Sequence, residues 1–130
     1  MKIDKFLERF HFFYDSVIRN VKISFRDESV ATNIEIIISA RDNEYLENDS
    51  WVNVNLKIDE VVEFNFRENS KESYQVLSNG LHILETENFL YFDFGFHIDA
   101  PDNVEEFKKS SFYVVGKNLT LTIQDYQDFS

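Results

Sequence analysis

The chain has 130 residues, of which 43% are hydrophobic and 16% aromatic, and it contains no cysteine. This length and apolar content predict a single domain over residues 1–130, and the lack of cysteine excludes disulfides, thiolate metal sites and thiol nucleophiles. The formal net charge of −11 argues against direct binding to nucleic acid or to anionic membranes, because both need a basic protein surface.

The first nine residues include several charged side chains and no small-residue cleavage site, which is untypical of a signal peptide. No apolar run approaches the roughly 20 residues that span a bilayer. We therefore expect a cytoplasmic protein with no membrane partner.

The N-terminal segment carries apolar residues at helical spacing. Ile3, Phe6, Leu7 and Phe10 follow the i, i+3, i+4, i+7 pattern, with charged residues between them. This pattern predicts an amphipathic helix over roughly residues 2–13.

From Val17 onward the hydrophobic period changes to two, which is typical of antiparallel strands with one face in the core and one in water. About eight such strands follow, the most regular of them running from Leu90 to Asp99. The expected core residues are the apolar members of these strands: Val21, Ile23, Phe25, Ile36, Ile38, Val54, Leu56, Phe64, Phe92, Phe94, Phe96, Leu121 and Ile123.

Local signals place the turns and a second helix. Asn79-Gly80 favours a type I′ hairpin that joins strands at 74–78 and 81–85, because Asn-Gly tolerates positive φ at both central positions. Pro101 ends the strand before it, and Asp102 or Asn103 can cap a short helix over 104–109. A last hairpin, 112–115 with 119–124, turns at residues 116–118.

These elements predict an α+β, β-dominated fold with an N-terminal helix and a short inserted helix. A curved antiparallel sheet or partly open barrel of about eight strands would wrap around a phenylalanine-rich core. A two-sheet sandwich is the alternative, and the sequence does not separate the two.

The sequence gives little support for catalysis. It contains no glycine-rich phosphate loop, no G-x-S-x-G or H-E-x-x-H motif and no calcium loop, so we expect no catalytic residues, no metal and no cofactor. His97 and Asp99 would share one strand face with Asp93 and could form a base with its orienting carboxylate, although a solvated strand face explains them as well.

Acidic residues concentrate in two regions that are candidates for binding a partner. The first is the loop after the second strand, where the expected contact residues are Glu44, Glu47, Asp49 and the neighbouring Trp51. The second surrounds the late helix and contains Asp99, Asp102, Glu105 and Glu106. Ordinary solvated loops would look the same, but an aromatic anchor inside an acidic rim is typical of an interface with a basic protein.

The segment Phe12–Val21 (FFYDSVIRNV) resembles an opening of small bacterial proteins, in which an F-[HY]-D-[SA]-x-[IL] run leads into the first strand. Several of these are similar to immunity proteins of polymorphic toxin and contact-dependent growth inhibition systems. The resemblance implies a cytosolic inhibitor that binds a cognate protein toxin, often a basic nuclease, and blocks its active site. It implies no catalytic residues, and a structural role for Tyr14, Asp15 and Ser16 between helix and strand.

The leading hypothesis is therefore an immunity protein that binds and neutralises a cognate toxin through an acidic surface. One alternative is a small-ligand-binding or enzymatic domain that uses a curved sheet interior, with His97 and Asp99 at its mouth. Another is a structural or assembly subunit, since the sequence leaves the oligomeric state open.

Overall fold

The computed structural model describes residues 3–44, 50–67 and 76–125. Two short α-helices and nine strands lie within these residues. Their bounds are α1 Ile3–Arg9, β1 Ser16–Ser24, β2 Asn33–Asp42, β3 Ser50–Asp59, β4 Glu63–Phe66, β5 Val76–Leu77, β6 Leu81–Glu85, β7 Leu90–Phe94, α2 Val104–Phe107, β8 Phe112–Gly116 and β9 Asn118–Asp125.

The described strands form two antiparallel sheets. A five-stranded sheet has the order β5-β1-β2-β3-β9, and a four-stranded sheet has the order β4-β8-β7-β6. The sheets do not close into a barrel. The prediction of a β-dominated fold with an N-terminal helix and a short inserted helix is confirmed.

One hydrophobic core lies between the two sheets. The larger sheet contributes alternate residues such as Ile36 and Val54, and the smaller sheet contributes Phe92 and Phe94. Because strand side chains alternate between faces, the period-two pattern of the sequence identified these inward positions correctly. Val21, Ile23, Phe64, Leu121 and Ile123 are partly buried against the same core.

The N-terminal helix is shorter than predicted, because α1 ends at Arg9. The chain then makes a tight turn over His11–Phe13, in which φ lies between 54° and 60°. This left-handed turn brings Phe13 back to Phe10, with ring centroids 5.3 Å apart in the core. Tyr14 and Asp15 follow as a turn that leads into β1.

Two predicted hairpins are wrong, because each would-be partner lies in the other sheet. β5 pairs with β1, whereas β6 pairs with β7, so Asn79-Gly80 links the sheets and does not close a hairpin. Likewise, β8 belongs to the four-stranded sheet and β9 to the five-stranded sheet, so these two strands do not form a hairpin. A Cβ at Gly116 would lie 2.5 Å from Ile58 Cγ2, so a glycine allows the close approach at this crossing.

Two expected core residues are exposed. Phe25 lies beyond the end of β1 and is 72% exposed, with its ring 6.4 Å from that of Phe64. Phe96 is 48% exposed, because β7 ends at Phe94 and Gly95 takes a φ of +85° that breaks the alternation. The alternating sequence continues past the point at which the strand itself ends.

Phe94 and Phe96 provide a matched test of this register. Phe94→Ala should lower the free energy of unfolding by about 3–5 kcal/mol, because it removes a buried ring that is only 2% exposed. Phe96→Ala should cost less than about 1 kcal/mol, since its ring is largely in solvent. Denaturant unfolding of both variants is the measurement, and equal losses would contradict the end of β7 at Phe94.

Candidate functional site

The segment that follows β7 folds back over the outer face of the four-stranded sheet. Phe107 of α2 is buried there, with its ring 6.4 Å from Tyr91, whose neighbours Leu90 and Phe92 point into the core. Lys108 Nζ lies 2.9 Å from Glu63 Oε1 on β4. These contacts hold α2 against the sheet.

The anchor below α2 is a polar pair on β4 and β8. The Tyr113 hydroxyl donates a hydrogen bond to Glu63, which also forms the ion pair with Lys108. Hydrogen bonds from Lys108 and Tyr113 hold the pKa of Glu63 below its ordinary value. Burial, together with the Glu63 carboxylate, raises the pKa of Tyr113 to about 12. The tyrosine therefore stays protonated, as a hydrogen-bond donor, at neutral pH.

The turn directly after β7 is held by buried polar groups. The Asp93 carboxylate is fully buried and accepts hydrogen bonds from the backbone N–H groups of Phe96 (3.3 Å) and His97 (3.0 Å). From the other side, Asn79 Nδ2 donates to Gly95 O at 3.2 Å. His82 Nε2 lies 2.9 Å from His97 O; since a carbonyl can only accept, this nitrogen carries the proton.

The consequence of this turn is an exposed segment with two kinds of side chain. Phe96 and Ile98 are 48% and 75% exposed, and Asp99, Asp102 and Glu105 are exposed close by in the chain. None of these three carboxylates forms an ion pair with another described residue. We call these five residues the acidic-apolar segment.

Glu106, which was predicted to act with this group, differs from it. Lys109 Nζ lies 2.8 Å from Glu106 Oε1, and this hydrogen bond and charge lower the pKa of Glu106. Its backbone N–H is bound by the side chain of Asn103, which is therefore the residue that caps α2. Glu106 is partly neutralised and contributes to the helix itself.

The predicted strand face that carries both His97 and Asp99 does not exist, because both residues lie beyond the end of β7. Asp93 is engaged with backbone N–H groups and not with an imidazole. The ring of His97 packs 4.9 Å from Phe96, and its buried Nε2 forms no hydrogen bond with any other described residue. The described ranges contain no cluster of three metal-ligating side chains.

The first acidic region is only partly available for a partner. Asp42 is buried and receives two parallel hydrogen bonds of 2.9 Å from Arg9, and a third from the backbone N–H of Glu44. Glu44 is 68% exposed at its side chain but lies 3.0 Å from the same guanidinium. Glu47 and Asp49 lie outside the described residues.

Trp51 is half exposed on β3, as the anchor hypothesis requires. Its neighbour across the sheet is Arg41, whose guanidinium lies 5.9 Å from the Trp51 ring. The Trp51 ring therefore already has a cation over it. The two candidate acidic regions lie on different sheets.

An open groove of about 650 Å³ runs beside α1. Four of its seven lining residues are charged, so it differs from the apolar pockets that usually hold small ligands. The lining residues are Lys5, Phe6, Glu8, Arg9, Asn43, Glu44 and Leu121.

Comparison of the chain with protein families, curated proteins and solved structures found no match. Among the described residues, no helix has the length and apolar character that crossing a membrane requires.

Sequence reasoning missed the apolar half of the acidic-apolar segment. It placed Phe96 in the core and gave Ile98 the same face, because both continue the alternation of β7. The available signal was Gly95, since a glycine inside a strand pattern often marks a break. Asp93 and Asn79, which hold the turn, carried no local signal of that role.

The two carboxylates beside Arg9 allow a matched test of burial. Burial alone raises the pKa of Asp42, but the hydrogen bonds from Arg9 and Glu44 and nearby positive charge lower it below its ordinary value. We expect Asp42→Asn to lower the free energy of unfolding by about 2–3 kcal/mol at neutral pH, because it leaves the guanidinium facing an amide. Glu44→Gln should lower the free energy of unfolding by less than about 0.5 kcal/mol, because that side chain is exposed.

The same variants carry a pH signature. The pKa of Asp42 is lower in the folded state than in the unfolded state. Its carboxylate therefore stabilises the fold above the ordinary carboxyl pKa of about 4, and this stabilisation is lost as pH falls through the folded-state pKa. The stability gap between wild type and Asp42→Asn should therefore narrow in acid. A gap that is constant from neutral pH to strong acid would contradict the ion pair.

Proposed function

We propose that this chain binds a basic protein through the acidic-apolar segment and acts as an immunity protein that neutralises a toxin. The observation that carries the proposal is that exposed Phe96 and Ile98 lie close in the chain to three exposed carboxylates. These belong to Asp99, Asp102 and Glu105, and none of them forms an ion pair with another described residue. An apolar centre with a charged rim is the usual anatomy of a tight protein interface.

The two parts of the segment would act on different steps of binding. The carboxylates, on a chain of net charge −11, attract a basic partner over long range and raise the association rate. The apolar side chains lose water on contact and slow dissociation. A toxin that is made inside its own producer must be captured fast and held tightly, so both effects suit an immunity protein.

The structural setting supports this segment over the Glu44–Trp51 region. The turn is held at both its N–H and carbonyl groups by Asp93, Asn79 and His82, so little ordering is needed on binding. At the other region, Arg9 and Arg41 place positive charge beside the acidic and aromatic groups. We therefore assign that region a smaller share of the binding energy.

The test looks for a toxin domain encoded by the neighbouring gene and co-expresses that domain with variants of the chain. Asp99→Asn/Asp102→Asn/Glu105→Gln should lower the association rate about tenfold or more, flatten its salt dependence and weaken protection of the cell. The control, Glu28→Gln/Glu85→Gln/Glu87→Gln, removes the same charge from other exposed positions and should change the rate far less.

A second variant in the same assay isolates the apolar part. Ile98→Ser keeps every charge and should mainly raise the dissociation rate. The proposal is wrong if the wild-type chain fails to protect, or if Asp99→Asn/Asp102→Asn/Glu105→Gln and Ile98→Ser both bind the toxin like wild type.

The enzymatic alternative would need a general base oriented by a carboxylate. Asp93 is the candidate for this carboxylate, but its two oxygens already accept hydrogen bonds from backbone N–H groups. Four of the seven residues that line the open groove beside α1 are charged, and His97 is not among the seven. We therefore keep toxin binding as the proposed function.

A further inference from the structure

The two sheets end in four edge strands, and β9 is the longest of them. It pairs with β3 over eight residues, from Asn118 to Asp125, and no described strand pairs with its other edge. As far as the structure describes them, the remaining edges are shorter: β5 has two residues, β4 has four and β6 has five. β9 therefore offers the longest row of backbone groups to an incoming strand.

β9 also lacks the features that usually protect an edge. The stretch Leu119–Gln124 contains no charged residue and no proline, and its pairing with β3 shows no register shift. The pairing of β1 with β2, by contrast, is interrupted between Ile18 and Asn20. Between Leu119 and Gln124 the edge is therefore regular and uncharged, and an edge of this kind can accept an added strand.

The sequence of β9 is complementary to itself. If two copies pair antiparallel with Leu121 opposite its own equivalent, Thr120 faces Thr122 and Leu119 faces Ile123 of the second copy. Threonine pairs and aliphatic pairs are both favourable across antiparallel strands.

The inward side chains of β9 give a second reason for a cover. Leu119, Leu121 and Ile123 pack against the core but are only partly buried, whereas their partners Ile58, Leu56 and Val54 on β3 are fully buried. A strand added beside β9 would place apolar side chains next to these three. A strand of the same sequence supplies them in the matching order.

We propose that β9 pairs with β9 of a second copy about a two-fold axis at Leu121, which joins the two five-stranded sheets into one continuous sheet. The contact is isologous, so it closes as a dimer and does not propagate. It lies on the larger sheet and leaves the acidic-apolar segment, on the outer face of the smaller sheet, outside the contact.

Two charge variants at the same two positions test both the dimer and its register. Thr120→Lys/Thr122→Lys places like charges opposite each other twice, and should weaken dimerisation at least about tenfold. It also reduces the net charge from −11 to −9, so general repulsion between copies falls and cannot explain the loss. Thr120→Lys/Thr122→Glu places opposite charges across the same pairs and should keep the dimer.

The measurement is sedimentation velocity over about 1 µM to 1 mM protein, which covers dimers of moderate affinity. Circular dichroism and thermal unfolding confirm that each variant is folded. A wild-type chain that is monomeric throughout would overturn the proposal, and so would a dimer that Thr120→Lys/Thr122→Lys leaves intact. Equal loss of the dimer in both folded variants would overturn the register. Toxin protection is measured separately, so failure of either proposal is distinguishable.

Discussion

The buried carboxylate of Asp93 is the constraint on which the proposed site depends. It lies on the outer face of β7 and accepts hydrogen bonds from the backbone N–H groups of Phe96 and His97. If the strand continued, backbone groups at these positions would pair with an adjacent strand instead. With Gly95 at a φ of +85°, the chain leaves the sheet at this point. The residues that follow are therefore exposed, although their sequence still reads as a strand.

The same turn connects both sheets. Asn79, in the link between β5 and β6, donates to Gly95 O, and His82 on β6 lies within hydrogen-bond distance of His97 O. Farther along, Phe107 packs on Tyr91 and Lys108 binds Glu63, so the returning segment is fixed at both ends. A binding surface that is fixed in this way loses little conformational entropy when a partner arrives.

The sequence predicted the inward positions of the sheets, because alternation alone decides them for Ile36, Val54 and Phe94. It misplaced Phe96, because alternation does not state where a strand ends. It also misassigned Asn79-Gly80, since a local turn signal does not specify which sheet the next strand joins. The role of Asp42 could not be predicted either, because its partner Arg9 lies 33 positions away in the sequence and is brought to it only by the fold.

The most direct test of this account is amide hydrogen exchange at Phe96 and His97. In the wild-type chain both amides should be protected although they lie outside any strand, because Asp93 binds them. In Asp93→Ala their protection should fall to that of an open loop, while the amides of β2 and β3 in the other sheet stay protected. Fast exchange at both positions in the wild-type chain, or protection that survives Asp93→Ala, would contradict the account.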